Sequence, residues 1–230
     1  MKLGQRVVDG IFIDRPNRYL SRVEVDGEEV QAHVPDPGRL PGLMIPKMKV
    51  RLIHNPGPKR KTDYTLALVR HGTIWVSVYP VFANKLVGEA LSKNKLSFLS
   101  GYKGFSAEVK IGNSRIDFKL DYPNQSLFIE VKSVSHVENS VGKFPDAPTE
   151  RGRKHLRELI ELKNKGDRAG VLFVSQRSDT RSVTSNDAID PEFGGMLLKA
   201  HHAGVELYAC NCKVSGTAIT INHQIDVVLP

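Results

Sequence analysis

The chain has 230 residues, 40% of them hydrophobic, and a formal charge of +8 at pH 7. That suffices for a real core, in one large domain or two small ones, and no stretch approaches the roughly 18 consecutive apolar residues of a membrane span. Met1 to Gly10 lacks a signal-peptide core, so the expected location is the cytoplasm, and the positive charge favours a polyanionic partner.

Five runs with strand character come first: Gln5 to Asp14, Arg18 to Asp26, Glu29 to Val34, Lys47 to His54, and Tyr64 to Pro80, the last split by His71-Gly72. Asp26-Gly27 and His71-Gly72 are hairpin-turn pairs. About 80 residues of short strands with no helical period suggest a small closed barrel of the oligonucleotide-binding type, or else a sheet extending the next domain. Residues 1–80 carry 13 Lys+Arg against 8 Asp+Glu, and residues 81–230 carry 20 against 17, so the basic excess is concentrated early. Between Asp36 and Asp63 there is no acidic residue, yet Arg39, Lys47, Lys49, Arg51, Lys59, Arg60 and Lys61 all fall there. Such a run serves either solubility or a phosphate-tracking groove.

From Val81 to Asn94 the period becomes helical, burying Phe82, Leu86, Val87 and Ala90. Glu89 projects at the edge of that face, where it reaches either solvent or a metal site. A strand follows from Phe105 to Ile111.

Two alternating runs, Arg115 to Asp121 and Leu127 to Val134, then flank a Tyr-Pro-Asn-Gln break and predict an antiparallel hairpin. Ile116, Phe118 and Leu120 are expected on one face. A turn centred on Pro123 and Asn124 sets Asp117 opposite Glu130, so that Asp117, Glu130 and Lys132 cluster on one side of the sheet. Two carboxylates this close are tolerable chiefly when a hard cation sits between them or one takes up a proton. The alternative for Glu130-x-Lys132 is a solvated strand face.

Phe144 to Glu150 carries helix-start signals, with Asp146 or Thr149 as N-cap, and the helix runs to about Asn164 with Leu156, Leu159 and Ile160 buried. Arg151, Arg153, Lys154 and Arg157 crowd its beginning, against the macrodipole, which a phosphate backbone would explain. An ordinary Glu150–Lys154 pair is the simpler reading. Ala169 to Ser175 reads as a central strand, Pro191 to Ala203 as a helix and Val205 to Cys210 as a strand, making residues 81–230 an α/β domain with a mixed sheet. Cys210 and Cys212 are expected to be reduced core residues.

The ordered set A-N (Ala83-Asn84), S-R-I-D-F (Ser114 to Phe118), I-E-V-K-S-V (Ile129 to Val134), F-P-D-A-P-T-E-R-G-R-K-H-L-R-E-L (Phe144 to Leu159) and G-V-E-L-Y-A (Gly204 to Ala209), with V-P-D-P-G-R-L (Val34 to Leu40), resembles the sugar fermentation stimulation protein A family over essentially the whole chain. The resemblance implies an N-terminal oligonucleotide-binding-like barrel, residues 1–80, joined to a PD-(D/E)xK nuclease-like domain, residues 81–230. It also implies DNA binding without strong sequence preference and an association with the regulation of sugar, particularly maltose, metabolism. The nuclease signature falls on Asp117, Glu130 and Lys132, with Glu89 matching the acid such folds often carry on the preceding helix; Ile116 stands where the signature's name has proline.

Two functions follow as expectations. One is a nuclease using Mg2+ or Mn2+, with Glu89, Asp117 and Glu130 on the metal and Lys132 at the attacking water; the other is a non-catalytic DNA-binding regulator. DNA, single- or double-stranded, is the expected partner, with RNA the weaker option. Phosphate contacts are assigned to Arg39, Lys47, Lys49, Lys59, Arg60, Lys61, Arg151, Arg153 and Lys154. The sequence leaves the oligomeric state open between monomer and dimer.

Overall fold

A computed structural model describes residues 1–4, 6–112 and 114–230. Alternation and tight turns build the first unit from β1 (Val7–Asn17), β2 (Leu20–Val25), β3 (Glu28–His33), β4 (Lys49–His54), β5 (Tyr64–His71) and β6 (Ile74–Ser77). Asp26 and Gly27 both take positive φ, 52° and 86°, as the two-residue turn between β2 and β3 requires. The strand order is β3-β2-β1-β4-β5-β6, and a parallel β3–β5 pairing closes five strands into a barrel. Phe12, Val23, Leu52 and Leu66 fill its interior, and Leu40 and Leu43, from the segment between β3 and β4, complete that core. The barrel expectation holds, against a simple sheet extension.

The second unit comprises α1 (Val81–Ser92), β7 (Gly104–Ile111), β8 (Ser114–Asp121), β9 (Ser126–Val134), β10 (Val137–Glu138), β11 (Val141–Phe144), α2 (Glu150–Asn164), β12 (Arg168–Ser175), β13 (Ser182–Ser185), α3 (Pro191–His202), β14 (Glu206–Val214) and β15 (Ile219–Val228). Its nine-stranded sheet runs β10-β11-β13-β15-β14-β12-β9-β8-β7. Parallel β9, β12 and β14 form the middle, and β7-β8-β9 is an antiparallel meander at one edge. One apolar cluster joins α1 to the sheet, and a second joins α2 and α3 to it. Ile160, expected to be buried, only borders the second cluster. Cys210 and Cys212 are buried free thiols.

The units share a core, since Ile53, Ala67 and Leu68 of the barrel belong to the same cluster as α1. They also meet at a polar seam. Arg15 donates to the carbonyls of Gly38 and Asp36, each at 2.7 Å, and Asp36 Oδ1 accepts the Gly38 amide at 2.9 Å. The Asp146 carboxylate lies against Gly38 where any Cβ would stand, so a larger residue there would push that carboxylate aside. Among the described residues, no helix is long and apolar enough to cross a membrane.

Candidate functional site

The hairpin has the expected register, with Phe118 opposite Ile129 and Leu120 opposite Leu127. Carried one pair further, it sets Asp117 across from Glu130, but the ladder opens there. On the other side, β7 pairs through Ala107 with Phe118 and resumes at Val109 with Ile116, and Glu108 between them takes φ 56°. The kink turns β8 over. Phe118 and Leu120 pack toward α1, whereas Ile116 packs toward α2 and α3, which corrects the expectation that all three share a face. Released from the ladder, Asp117 uses its carboxylate instead: Oδ1 accepts Asn84 Nδ2 of α1 at 2.6 Å, and Oδ2 accepts the Val131 amide at 2.7 Å.

Glu130 is 3% exposed on β9, where it stays paired with β12 although the β8 side has opened. Its Oε1 receives Lys132 Nζ at 2.7 Å and the Nδ1 of His155, which is itself buried on α2. Arg151 Nε donates to His155 Nε2 at 3.3 Å, which leaves Nδ1 to face Glu130 Oε1, with Lys132 Nζ also 3.4 Å from Nδ1. Among the described residues, the buried Glu130 Oε2 finds no hydrogen-bond partner.

The two carboxylates are driven apart in acidity. Burial first, and then the charge of Glu130, push Asp117 above the usual carboxylate range, despite the donors Val131 and Asn84. Burial pushes Glu130 the same way, but the hydrogen bond from His155 and the ammonium of Lys132 outweigh it, and Glu130 lies below its ordinary value. One member of the pair therefore stays ionised while its neighbour retains a proton more readily.

Asn84, Asp117, Glu130, Lys132, Arg151 and His155 line one cavity of about 820 Å³. An unpartnered buried carboxylate oxygen beside a second carboxylate suits a hard cation. Among the described residues no group of three or more His, Cys, Asp or Glu side chains is arranged to hold a metal. An ion here would thus take two carboxylates and complete its shell with water or phosphate oxygens, a donor set typical of Mg2+.

Glu89 does not join them. It pairs with Lys93 and, at 2.8 Å, with the amino group of Met1; the Lys93 bond first, then the amino group, hold it down to about 2. It sits one residue beyond Gly88, the last α1 residue lining the cavity, and α1 presents Asn84 to Asp117 instead.

The cations at the start of α2 also separate. Thr149 caps the helix, accepting the Gly152 amide at 3.0 Å, and Arg151 lines the cavity. Arg153 is instead bound by both oxygens of Asp190, at 2.7 and 2.8 Å, and by Glu150. Lys154 pairs with Glu158, and Glu150 with Arg153 and Arg157, so the expected Glu150–Lys154 pair is not formed. The crowding thus has intramolecular partners, and Arg153 in particular is not available to phosphate.

On the barrel, Arg39, Lys47, Lys49, Lys59, Arg60 and Lys61 are exposed, and among the described residues only Arg51 of the seven-cation run has an acidic partner, Asp9. Arg60 bends back onto Thr62 and Thr65. Arg22 of β2 is held by Asp14 and Glu29, next to Glu24 and Glu28, so the β1–β2–β3 side is acidic and the free cations lie on the loops and at the start of β4.

Site roles for Asn84 and His155 do not emerge from counting charges. His155 had a readable signal, since it falls with Gly152, Leu156, Leu159 and Leu162 on the buried stripe of α2, where a polar side chain needs a partner.

The family model described as sugar fermentation stimulation protein RE domain matches residues 81–218, and that described as SfsA N-terminal OB domain matches residues 13–78. A sugar fermentation stimulation protein homolog of Clostridium perfringens is 40% identical over 230 residues, covering 100% of both chains. One from Clostridium tetani is 42% identical over 219 residues, covering 95% of each. The solved structure of SfsA from Pyrococcus furiosus in complex with Ca2+ superposes with a TM-score of 0.88 at 26% identity, covering 100% of this chain and 98% of that one. The architecture is an oligonucleotide-binding-like barrel followed by a nine-stranded mixed-sheet unit.

Proposed function

The chain belongs to the sugar fermentation stimulation protein family, and from that premise we propose that it binds DNA with little sequence preference and holds one divalent ion, Mg2+ or Mn2+, between Asp117 and Glu130, where a phosphodiester is hydrolysed. The observation that carries this reading is the buried, unpartnered Glu130 Oε2 beside Asp117, in a cavity that also holds Lys132. The Ca2+ complex of the Pyrococcus furiosus relative supports it, Ca2+ sharing the preference of Mg2+ for oxygen ligands. The working division is a DNA-gripping barrel over residues 1–80 and a hydrolytic domain over residues 81–230.

When bound, the ion would polarise the phosphate and make its water more acidic. The chain's own groups do the rest. His155, aligned by Arg151, holds Glu130 Oε1 and leaves Oε2 to the ion. Asn84 and the Val131 amide fix the Asp117 carboxylate. The Lys132 ammonium lies at the cavity wall, where it orients the attacking water and stabilises charge on the phosphate as the water oxygen bonds to phosphorus and the ester oxygen leaves. Arg151 at the start of α2, with Arg39, Lys47, Lys49, Lys59 and Lys61 on the barrel, grips phosphates, which gives affinity without base readout.

A second reading, a DNA-binding regulator of sugar metabolism that keeps the ion but does not cleave, is favoured by one observation: α1 offers the neutral Asn84 to the site rather than a third carboxylate. Incubating end-labelled single- and double-stranded DNA with purified protein in Mg2+ and in Mn2+ separates the two. The hydrolytic reading expects fragments that vanish in Asp117→Ala; intact DNA under all conditions, with retained binding, selects the regulator.

A further inference from the structure

At the end of the barrel, the β1–β2 turn presents Tyr19 with 56% of its surface exposed, although the backbone beneath it is firmly held. The Tyr19 amide donates to Asn17 Oδ1 at 2.9 Å, and its carbonyl accepts the Val34 amide at 2.9 Å and lies 3.2 Å from His33 Nδ1. Arg15 Nη2 fixes the neighbouring carbonyl of Arg18 at 2.6 Å. An aromatic ring on a pre-ordered turn loses little freedom when it stacks on a flat partner, so the turn is built to meet one.

Two further features identify that partner. Arg18 is exposed and, among the described residues, has no acidic partner; Arg39 is exposed and directly follows Gly38. The same Arg15 that holds the Arg18 carbonyl holds Gly38, and Gly38 touches Asp146, three residues before the Thr149 cap and five before Arg151 at the cavity. Arg15 thus ties the Arg18–Tyr19 turn to the Gly38–Arg39 segment, which lies against the segment leading into α2 and the cavity. Bases inside a duplex are already paired and stacked, so only an unpaired segment can offer a base face to Tyr19.

We infer that the β1–β2 turn is a subsite for unpaired nucleotides, a base stacking on Tyr19 while adjacent phosphates meet Arg18 and Arg39, so that the preferred ligand is DNA with a single-stranded segment leaving the cavity. This rests on the DNA-binding reading above.

Fluorescence anisotropy with a blunt duplex and with the same duplex carrying an oligo(dT) tail tests it, using wild type, Tyr19→Ala and Tyr19→Phe. Wild type should bind the tailed duplex more tightly. Tyr19→Ala should erase that preference, weakening tailed binding by roughly fivefold to a hundredfold, the range for one stacked base, and leave blunt binding within about twofold. Tyr19→Phe should behave as wild type. Equal binding of both ligands by wild type, or equal losses on both in Tyr19→Ala, overturns the subsite while leaving DNA binding intact; wild type binding neither ligand removes the DNA-binding reading and the subsite together.

Discussion

Asp36 offers a test of the seam between the two units. Burial first, and then the charge of Asp146, raise it to about 6, against the opposing pull of the Gly38 amide and Arg15. In an unfolded chain the same carboxyl titrates near its ordinary value of 3.8. Between those two values the folded protein binds more protons than the unfolded one, so stability is lost as pH rises from about 4 to about 6, and the loss is complete above that window. A displacement of this size corresponds to about 3 kcal/mol. Asp36→Asn removes the charge but keeps an Oδ1 acceptor for the Gly38 amide, and Arg15 keeps Asp146 nearby. Loss of the Asp36–Arg15 attraction offsets part of the gain, leaving the variant about 1–2 kcal/mol more stable than wild type at pH 8. At pH 4, where Asp36 is largely protonated, the two should be nearly equal. Urea unfolding at the two pH values measures the difference. A variant less stable than wild type at pH 8, or a difference that does not change with pH, would refute the reasoning.

Three further outcomes follow from the site and its surroundings. Lys132→Ala should leave DNA affinity and ion occupancy in place while lowering any cleavage rate by a factor of order 10² or more, measured in single-turnover assays beside Asp117→Ala, which should lose the ion as well. Reversing Arg39, Lys59 and Lys61 to Glu should weaken gel-shift binding on every DNA sequence and flatten its salt dependence; unchanged affinity would remove the barrel loops from the interface. Arg153→Ala should leave DNA affinity unchanged but lower the urea midpoint of unfolding, because it strips a partner from the buried Asp190, the cap of α3.

Much of the architecture is legible in the residue pattern. Alternation with Asp26-Gly27 and the break after Asp121 locates the barrel strands and the β8–β9 hairpin, and the unbroken apolar run of β12 marks the middle of the sheet. β15 lies beyond the last predicted strand, although alternation at Ile219, Ile221, Ile225 and Val227 is an ordinary strand signal. The kink at Glu108 is not legible, because period-two reasoning assumes a continuous pleat and nothing in A-E-V announces positive φ at a glutamate. Facing Asp117 and Glu130 across the hairpin needs only register, which the turn sets; recruiting Asn84 and His155 needs the packing of two helices on opposite sides of the sheet. The misassigned Arg153 has the same origin, since its partner Asp190 is 37 residues away along the chain.

The central claim, one ion held by Asp117 and Glu130, is tested most directly by isothermal titration of the protein with Mn2+ near pH 7.5. The account predicts one site per chain in wild type and in Glu89→Gln, weakening in acid as protons compete for the two carboxylates, and no site in Asp117→Ala or Glu130→Gln. Equal Mn2+ binding by wild type and Asp117→Ala, or loss of the site in Glu89→Gln alone, would contradict it.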